Sequence, residues 1–247
     1  METITITQTE KKIQRGKNMV IGQRMGKYLL ICGIISSLLY AFMNIICARL
    51  YDGYSSFSQT VSELSAIGAP TRPLWVVMGI IYTSFVALFG WGIWKSASES
   101  RQLRIVGILL LTNGIIGLFW PPMHQRDVLA AGGGTLTDTM HIVFSIVTVF
   151  IMMLSIGFGA AAFGKLFRRY SIITLVVLIF YGALTGMQAP TLQANLDTPW
   201  LGVWERICIG AFLLWMMVLA IVLLRHKTLK KTTIASEGEL LTHYFPK

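Results

Sequence analysis

The sequence predicts an all-α, polytopic membrane protein: a six-transmembrane-helix bundle with a short helix in its first outer loop. Three observations predict it. First, 54% of the 247 residues are hydrophobic and only 13% are charged. An average soluble domain is about 25% charged, and its surface must be covered by polar groups that this chain lacks. Second, the apolar residues fall in long blocks and not in the one-sided stripes of surface helices. Third, lysine and arginine crowd into alternate connections between the blocks.

A membrane core asks for roughly 20 apolar residues per helix. The blocks are Tyr28–Ala48, Leu74–Trp94, Ile105–Trp120, Thr139–Phe163, Ile172–Met187 and Leu201–Leu224. The third ends at Pro121-Pro122, which cannot continue a helix. The third and fifth are short, so they are expected either to tilt little or to be extended by flanking residues. The first is read as a retained helix and not a cleaved signal, because its basic lead is long and no clean small-residue cleavage site follows. The chain divides into a basic tail (1–27), a membrane domain (28–224) and a second tail (225–247). Both tails are polar.

Seventeen of the 21 Lys and Arg residues fall on one side of a six-span count. They lie in the N-tail (Lys11, Lys12, Arg15, Lys17, Arg24, Lys27), in two connections (Lys95, Arg101, Arg104; Lys165, Arg168, Arg169) and in the C-tail (Arg225, Lys227, Lys230, Lys231, Lys247). Only Arg49, Arg72, Arg126 and Arg206 fall on the other. Cation-rich loops stay in the cytoplasm, so the expectation is a multi-pass cell-membrane protein with N- and C-termini cytoplasmic. The net charge of +10 is then topological, and no nucleic acid partner is needed. Cys32, Cys47 and Cys208 have no metal-finger spacing and read as small packing residues.

The polar residues collect on the cation-poor side. The first outer loop holds Thr60-x-x-Glu63, a capping box that starts a short helix by bonding free backbone N–H groups. Gly68 suits its stop, and Pro70 and Pro73 lead into the second span. In the third connection, His124 and Arg126 follow the two prolines and Gly132-Gly133-Gly134 comes next. Asp138, His141, Ser145 and Thr148 then lie on one face of the fourth span. Thr137 or Asp138 is the expected cap of that helix. The last span opens with Glu205-Arg206 between helices, and Arg206 is expected to meet Asp138, Glu63 or a lipid phosphate. Asn44, Asn113 and Gln188 are interhelical hydrogen-bonding groups, and Gly107, Gly114 and Gly117 permit close helix approach.

The run Gln59-Thr60-Val61-Ser62-Glu63-Leu64-Ser65-Ala66-Ile67-Gly68-Ala69-Pro70, with His141 after Asp138 and with Glu205-Arg206, resembles the DUF998 family of integral membrane proteins. The similarity spans roughly Tyr28–Leu224. A more distant similarity is to six-helix FRAG/DRAM/SFK-like proteins, whose first outer loop carries a comparable Ser-acid-x-Gly-x-x-Pro run. Neither resemblance carries a catalytic residue set.

Two functions are expected from different classes. One is binding of a membrane lipid or small amphiphile by Ser62, Glu63, His124, Asp138, His141, Glu205 and Arg206. It expects a cleft open to the outer leaflet with Arg72, Arg126 or Arg206 at its mouth. The alternative is a lipid hydrolase or transferase using His141, Asp138 and His124, with Glu63 as a further catalytic candidate. His124, Asp138 and His141 are the candidate ligands for a divalent metal such as zinc, provided they converge. Ser62 and His141 are candidates for a nucleophilic pair through the proximity of their loops. A transporter is disfavoured, because mid-span charges and paired broken helices are not visible.

Overall fold

The computed structural model describes residues 24–97 and 99–226. Six helices are long and apolar enough to cross a membrane. They are α1, described over Arg24–Leu50; α2, Arg72–Ser96; α3, Arg101–Leu118; α5, Leu136–Ala160; α6, Lys165–Met187; and α8, described over Leu201–His226. Two five-residue helices, α4 (Arg126–Ala130) and α7 (Ala189–Gln193), lie in the loops. The expected short helix is a 3-10 turn, Val61–Ser65. The basic tails, apart from 24–27 and 225–226, lie outside the described residues.

The short blocks are extended as expected, but at one end. Helix α3 starts at Arg101 with Ser100 as its N-cap, the Ser100 hydroxyl accepting from the Leu103 N–H. It stops at Leu118, two residues before the predicted Trp120. The Pro121-Pro122 pair thus acts ahead of itself, because a residue preceding proline is pushed out of helical geometry. Helix α6 starts seven residues earlier than its apolar block, at Lys165. The loop helices α4 and α7 escaped the sequence reading. Asp127 in the first turn of α4 and proline in that of α7 favour their starts, but five residues are too few to show a period.

The spans close into a ring: α1 packs on α2, α2 on α3, α3 on α5, α5 on α6, α6 on α8, and α8 on α1. One end of the ring, here the cap end, carries residues 51–71, 119–135 and 188–200. The other, the tail end, carries residues 97, 99–100 and 161–164. A seam of glycines sets the α2–α3 approach. A Cβ on Gly90 would overlap the Leu111 backbone, and one on Gly107 or Gly114 would overlap the Trp94 or Ala87 backbone. Small residues of this kind let membrane helices meet backbone to backbone.

The apolar core sits in the middle and tail half of the ring. Leu30, Phe89, Ile156, Leu178, Phe212 and Trp215 are all fully buried there. The one polar atom of Trp215 is spent, its Nε1–H donating to Ser171 Oγ at 3.0 Å. All three cysteines are free and buried. The cap half is different in kind, and the candidate residues lie there.

Candidate functional site

The cap is built outward from the capping box. Glu63 Oε2 accepts from the Thr60 N–H at 2.6 Å, and the Thr60 hydroxyl accepts from the Glu63 N–H at 3.3 Å. This arrangement fixes the start of the 3-10 turn and aims the Glu63 carboxylate inward, where the side chain is 5% exposed. A buried carboxylate needs a partner. Arg126 supplies it as a two-pronged clamp, Nε donating to Oε1 at 2.5 Å and a terminal nitrogen to Oε2 at 2.9 Å. The same guanidinium donates to Thr198 Oγ1 at 2.8 Å and to the Ser58 carbonyl at 2.9 Å. One arginine therefore joins all three cap loops.

Arg206 does similar work from α8. It donates to the carbonyls of Ser56 and Gln59, each at 2.9 Å, to Asn44 Oδ1 at 3.2 Å and to the Tyr54 hydroxyl at 2.6 Å. The Tyr54 hydroxyl then donates to the Thr60 carbonyl at 2.6 Å. Burial pushes the Tyr54 phenol well above its ordinary pKa, with Arg206 pulling back the other way. Glu205, next in sequence, accepts from the Val61 N–H at 2.5 Å. Gly202 makes this docking possible, since a Cβ there would overlap the Gln59 and Ser56 carbonyls.

Two expectations about the arginines change. Arg206 meets neither Asp138 nor Glu63, because loop carbonyls and Asn44 occupy its fork. Arg126 and Arg72 are not free at a cleft mouth either. Arg126 is bound to Glu63, and Arg72 donates to the Ser65 carbonyl at 2.5 Å. Arg126 is the residue that sequence reasoning most undervalued. Its signal was a lone arginine in a cation-poor loop, facing a capping-box glutamate in another.

The third connection docks against the first. Ile67 and His124 form a parallel bridge, with the Ile67 N–H donating to the Met123 carbonyl at 2.7 Å. Gly68, with φ +91°, turns the chain immediately afterwards, a backbone region that costs glycine nothing. Asp138 holds the connection from the other side. Its carboxylate accepts from the His124 N–H at 2.6 Å and from His124 Nδ1–H at 2.9 Å. It also accepts from the Thr135 N–H at 2.8 Å and the Thr135 hydroxyl at 3.0 Å. Thr135, and not Thr137 or Asp138, is the cap position of α5, and Asp138 reaches back to it.

His141 stands one turn on. Its Nδ1 is 2.8 Å from the Pro121 carbonyl, and its Nε2 is 3.0 Å from Ser62 Oγ. A carbonyl only accepts, so Nδ1 carries a hydrogen. In the neutral ring Nε2 is then the acceptor, and the Ser62 hydroxyl donates to it. Trp120 packs edge-on against the imidazole, with centroids 5.3 Å apart. His141 is 5% exposed, whereas Ser62 keeps part of its surface open.

Of the three candidate metal ligands, His124 and Asp138 meet, and the Asp138 carboxylate accepts four hydrogen bonds, three of them at Oδ2 and one at Oδ1. Both ring nitrogens of His141 have protein partners. Among the described residues no group of three His, Cys, Asp or Glu is placed to hold a metal ion. Below His141, Ser145 bonds back to the His141 carbonyl at 2.8 Å. The Thr148 hydroxyl, on the same face, is buried with no hydrogen-bond partner among the described residues.

Comparison with curated proteins and with solved structures gives no match. The family model described as "Protein of unknown function (DUF998)" matches residues 34–222. That stretch runs from the first span to the last and takes in the whole cap, so this multi-pass membrane protein belongs to the DUF998 family.

Proposed function

We propose that the protein binds a lipid or small amphiphile at the cap end of its helix ring, on the outer side of the membrane, with both termini in the cytoplasm. One observation carries the reading. A polar path runs from Ser62 through His141 and Ser145 to Thr148 on one face of α5, and it ends on a buried hydroxyl that none of the described residues satisfies. Polar groups inside a span face the bundle, and an unpartnered one marks a place for a ligand or water. The rim of this path is apolar: Phe119 is 73% exposed, and Trp120 and Met140 also reach the surface. A molecule with a polar head and an apolar tail fits such a border.

The charge pattern supports the orientation. Among the described residues, Arg72, Arg126 and Arg206 at the cap end are engaged with loop carbonyls or Glu63. The tail end carries Arg24, Lys27, Lys95, Arg101, Arg104, Lys165, Arg168, Arg169 and Arg225, the pattern of a cytoplasmic face.

Native mass spectrometry of the detergent-purified protein, beside His141→Ala, tests the reading. The expected result is a lipid-sized adduct on the wild type that weakens in the variant. A bare protein in both samples counts against binding. A stoichiometric metal mass that disappears in the variant overturns the reading in favour of a metal-dependent hydrolase.

A further inference from the structure

We infer that Ser62 and His141 form a nucleophile–base pair that cleaves an acyl ester of the amphiphile bound at the cap. The substrate class rests on the binding reading above; the pair itself rests on geometry alone. A serine hydroxyl is a weak nucleophile until a base takes its proton. That base must lie within hydrogen-bond reach, be neutral, and present the correct nitrogen. Ser62 Oγ is 3.0 Å from His141 Nε2, which meets the first condition. The Pro121 carbonyl, 2.8 Å from Nδ1, meets the third by fixing the tautomer that leaves Nε2 free to accept. Trp120 packs perpendicular to the ring, with centroids 5.3 Å apart.

The placement of the two residues fits the same chemistry. His141 is buried in α5, whereas Ser62 is half-buried in the first turn of the 3-10 helix. The nucleophile is therefore the more accessible of the two and the base the more shielded. The backbone around Ser62 is held by bonds that do not use its hydroxyl: Thr60 and Val61 donate their N–H groups to Glu63 and Glu205.

The steps balance without a further reagent except water. Ser62 Oγ attacks the ester carbonyl carbon while its proton passes to His141 Nε2. The bond to the alcohol portion breaks, and the departing oxygen takes the proton from Nε2. A water molecule then attacks the acyl–Ser62 ester and gives one proton to Nε2. Ser62 Oγ leaves the carbonyl carbon and recovers that proton. The products are a carboxylic acid and an alcohol. In both halves the imidazolium is stabilised through Nδ1–H and the Pro121 carbonyl, a positioning group.

The test is labelling of the full-length protein in detergent with a fluorophosphonate probe, followed by peptide mapping. Ser62 is expected to carry the label in the wild type, and Ser62→Ala to abolish it. His141→Gln is expected to slow labelling roughly 100-fold or more, the usual scale for loss of a general base. Ser62→Cys guards against a folding failure. Its thiol is expected to alkylate with iodoacetamide faster than the buried Cys32, Cys47 and Cys208, and to lose that advantage in Ser62→Cys/His141→Gln. A folded wild type that takes no label, together with a Ser62→Cys thiol whose alkylation is indifferent to His141, overturns the proposal and leaves the contact as a structural clasp. Labelling without a retained lipid keeps the pair and removes the amphiphile. A retained lipid, with no label and a Ser62→Cys thiol indifferent to His141, does the reverse.

Discussion

The two halves of the helix ring solve burial in opposite ways. Towards the tail end, Phe89, Phe212 and Trp215 fill the interior, and the single polar atom of Trp215 is bonded to Ser171. Towards the cap end, Glu63, Arg126, Glu205, Arg206, Asp138 and His141 occupy the corresponding space. Packing alone explains the first half. The second half costs desolvation of several ionised groups, and a bundle needing only stability would be filled more simply with leucine. What the charged groups do in the structure is join the three cap loops to one another and to the last span, around Ser62 and His141.

The largest effect is expected where the cap's central charge pair is broken on one side. Arg126→Ala leaves Glu63 buried and unpaired, and the loss should be about 3–5 kcal/mol. A thermal melt in detergent reads it. The double variant Glu63→Gln/Arg126→Met removes both charges and is expected to recover most of that loss. If the single and double variants melt alike, the pair is not the clasp described here. In the other half, Trp215→Ala opens a cavity and orphans Ser171, with a comparable cost of about 3–5 kcal/mol. The halves are then separated by labelling. Trp215→Ala, below its melting temperature, should leave Ser62 reactive, whereas Arg126→Ala should not.

Arg206→Lys comes next. It keeps the charge and loses the planar fork that reaches Ser56, Gln59, Asn44 and Tyr54 together. The expected loss is about 2 kcal/mol or more, since an ammonium cannot reproduce those bonds. Limited proteolysis near residues 53–58 is the sensitive readout. Equal protection in wild type and variant would show that the loop does not depend on the fork.

How much was legible in the sequence follows the same division. The six spans were legible because lipid enforces long uninterrupted apolar runs, and each one reappears as a helix with shifted ends. The capping box at Thr60 and Glu63 was legible because its partners are three residues apart. The Glu63–Arg126 clamp was not, as its partners are separated by 63 positions and no local period links them. The Ser62–His141 contact spans 79 positions, and proximity of loops suggested it without deciding the tautomer. That depended on the Pro121 carbonyl, a backbone atom that every residue has. The surroundings of Asp138 were hidden for a related reason. Asp138 and His124 come together, and the donors to the carboxylate include the Thr135 and His124 backbone N–H groups, which no side-chain spacing announces.

The smallest effects belong to the cations at the tail end. Lys95 lies over the Trp91 ring at 4.3 Å, a contact worth about 0.5–1 kcal/mol at an exposed site. Lys95→Ala should therefore barely move the melt, in contrast to any cap arginine. Collectively these charges do something that no cap arginine does. Replacing Lys95, Arg101, Arg104, Lys165, Arg168 and Arg169 together with glutamine weakens the asymmetry that orients the spans. On the proposed orientation, a reporter fused to the C-terminus, cytoplasmic in the wild type, should then lose its uniform signal, while correctly inserted molecules lose far less stability than with Arg126→Ala. If that change instead lowers the melt as far as Arg126→Ala does, the tail-end charges are architectural too, and the contrast between the two ends of the ring fails.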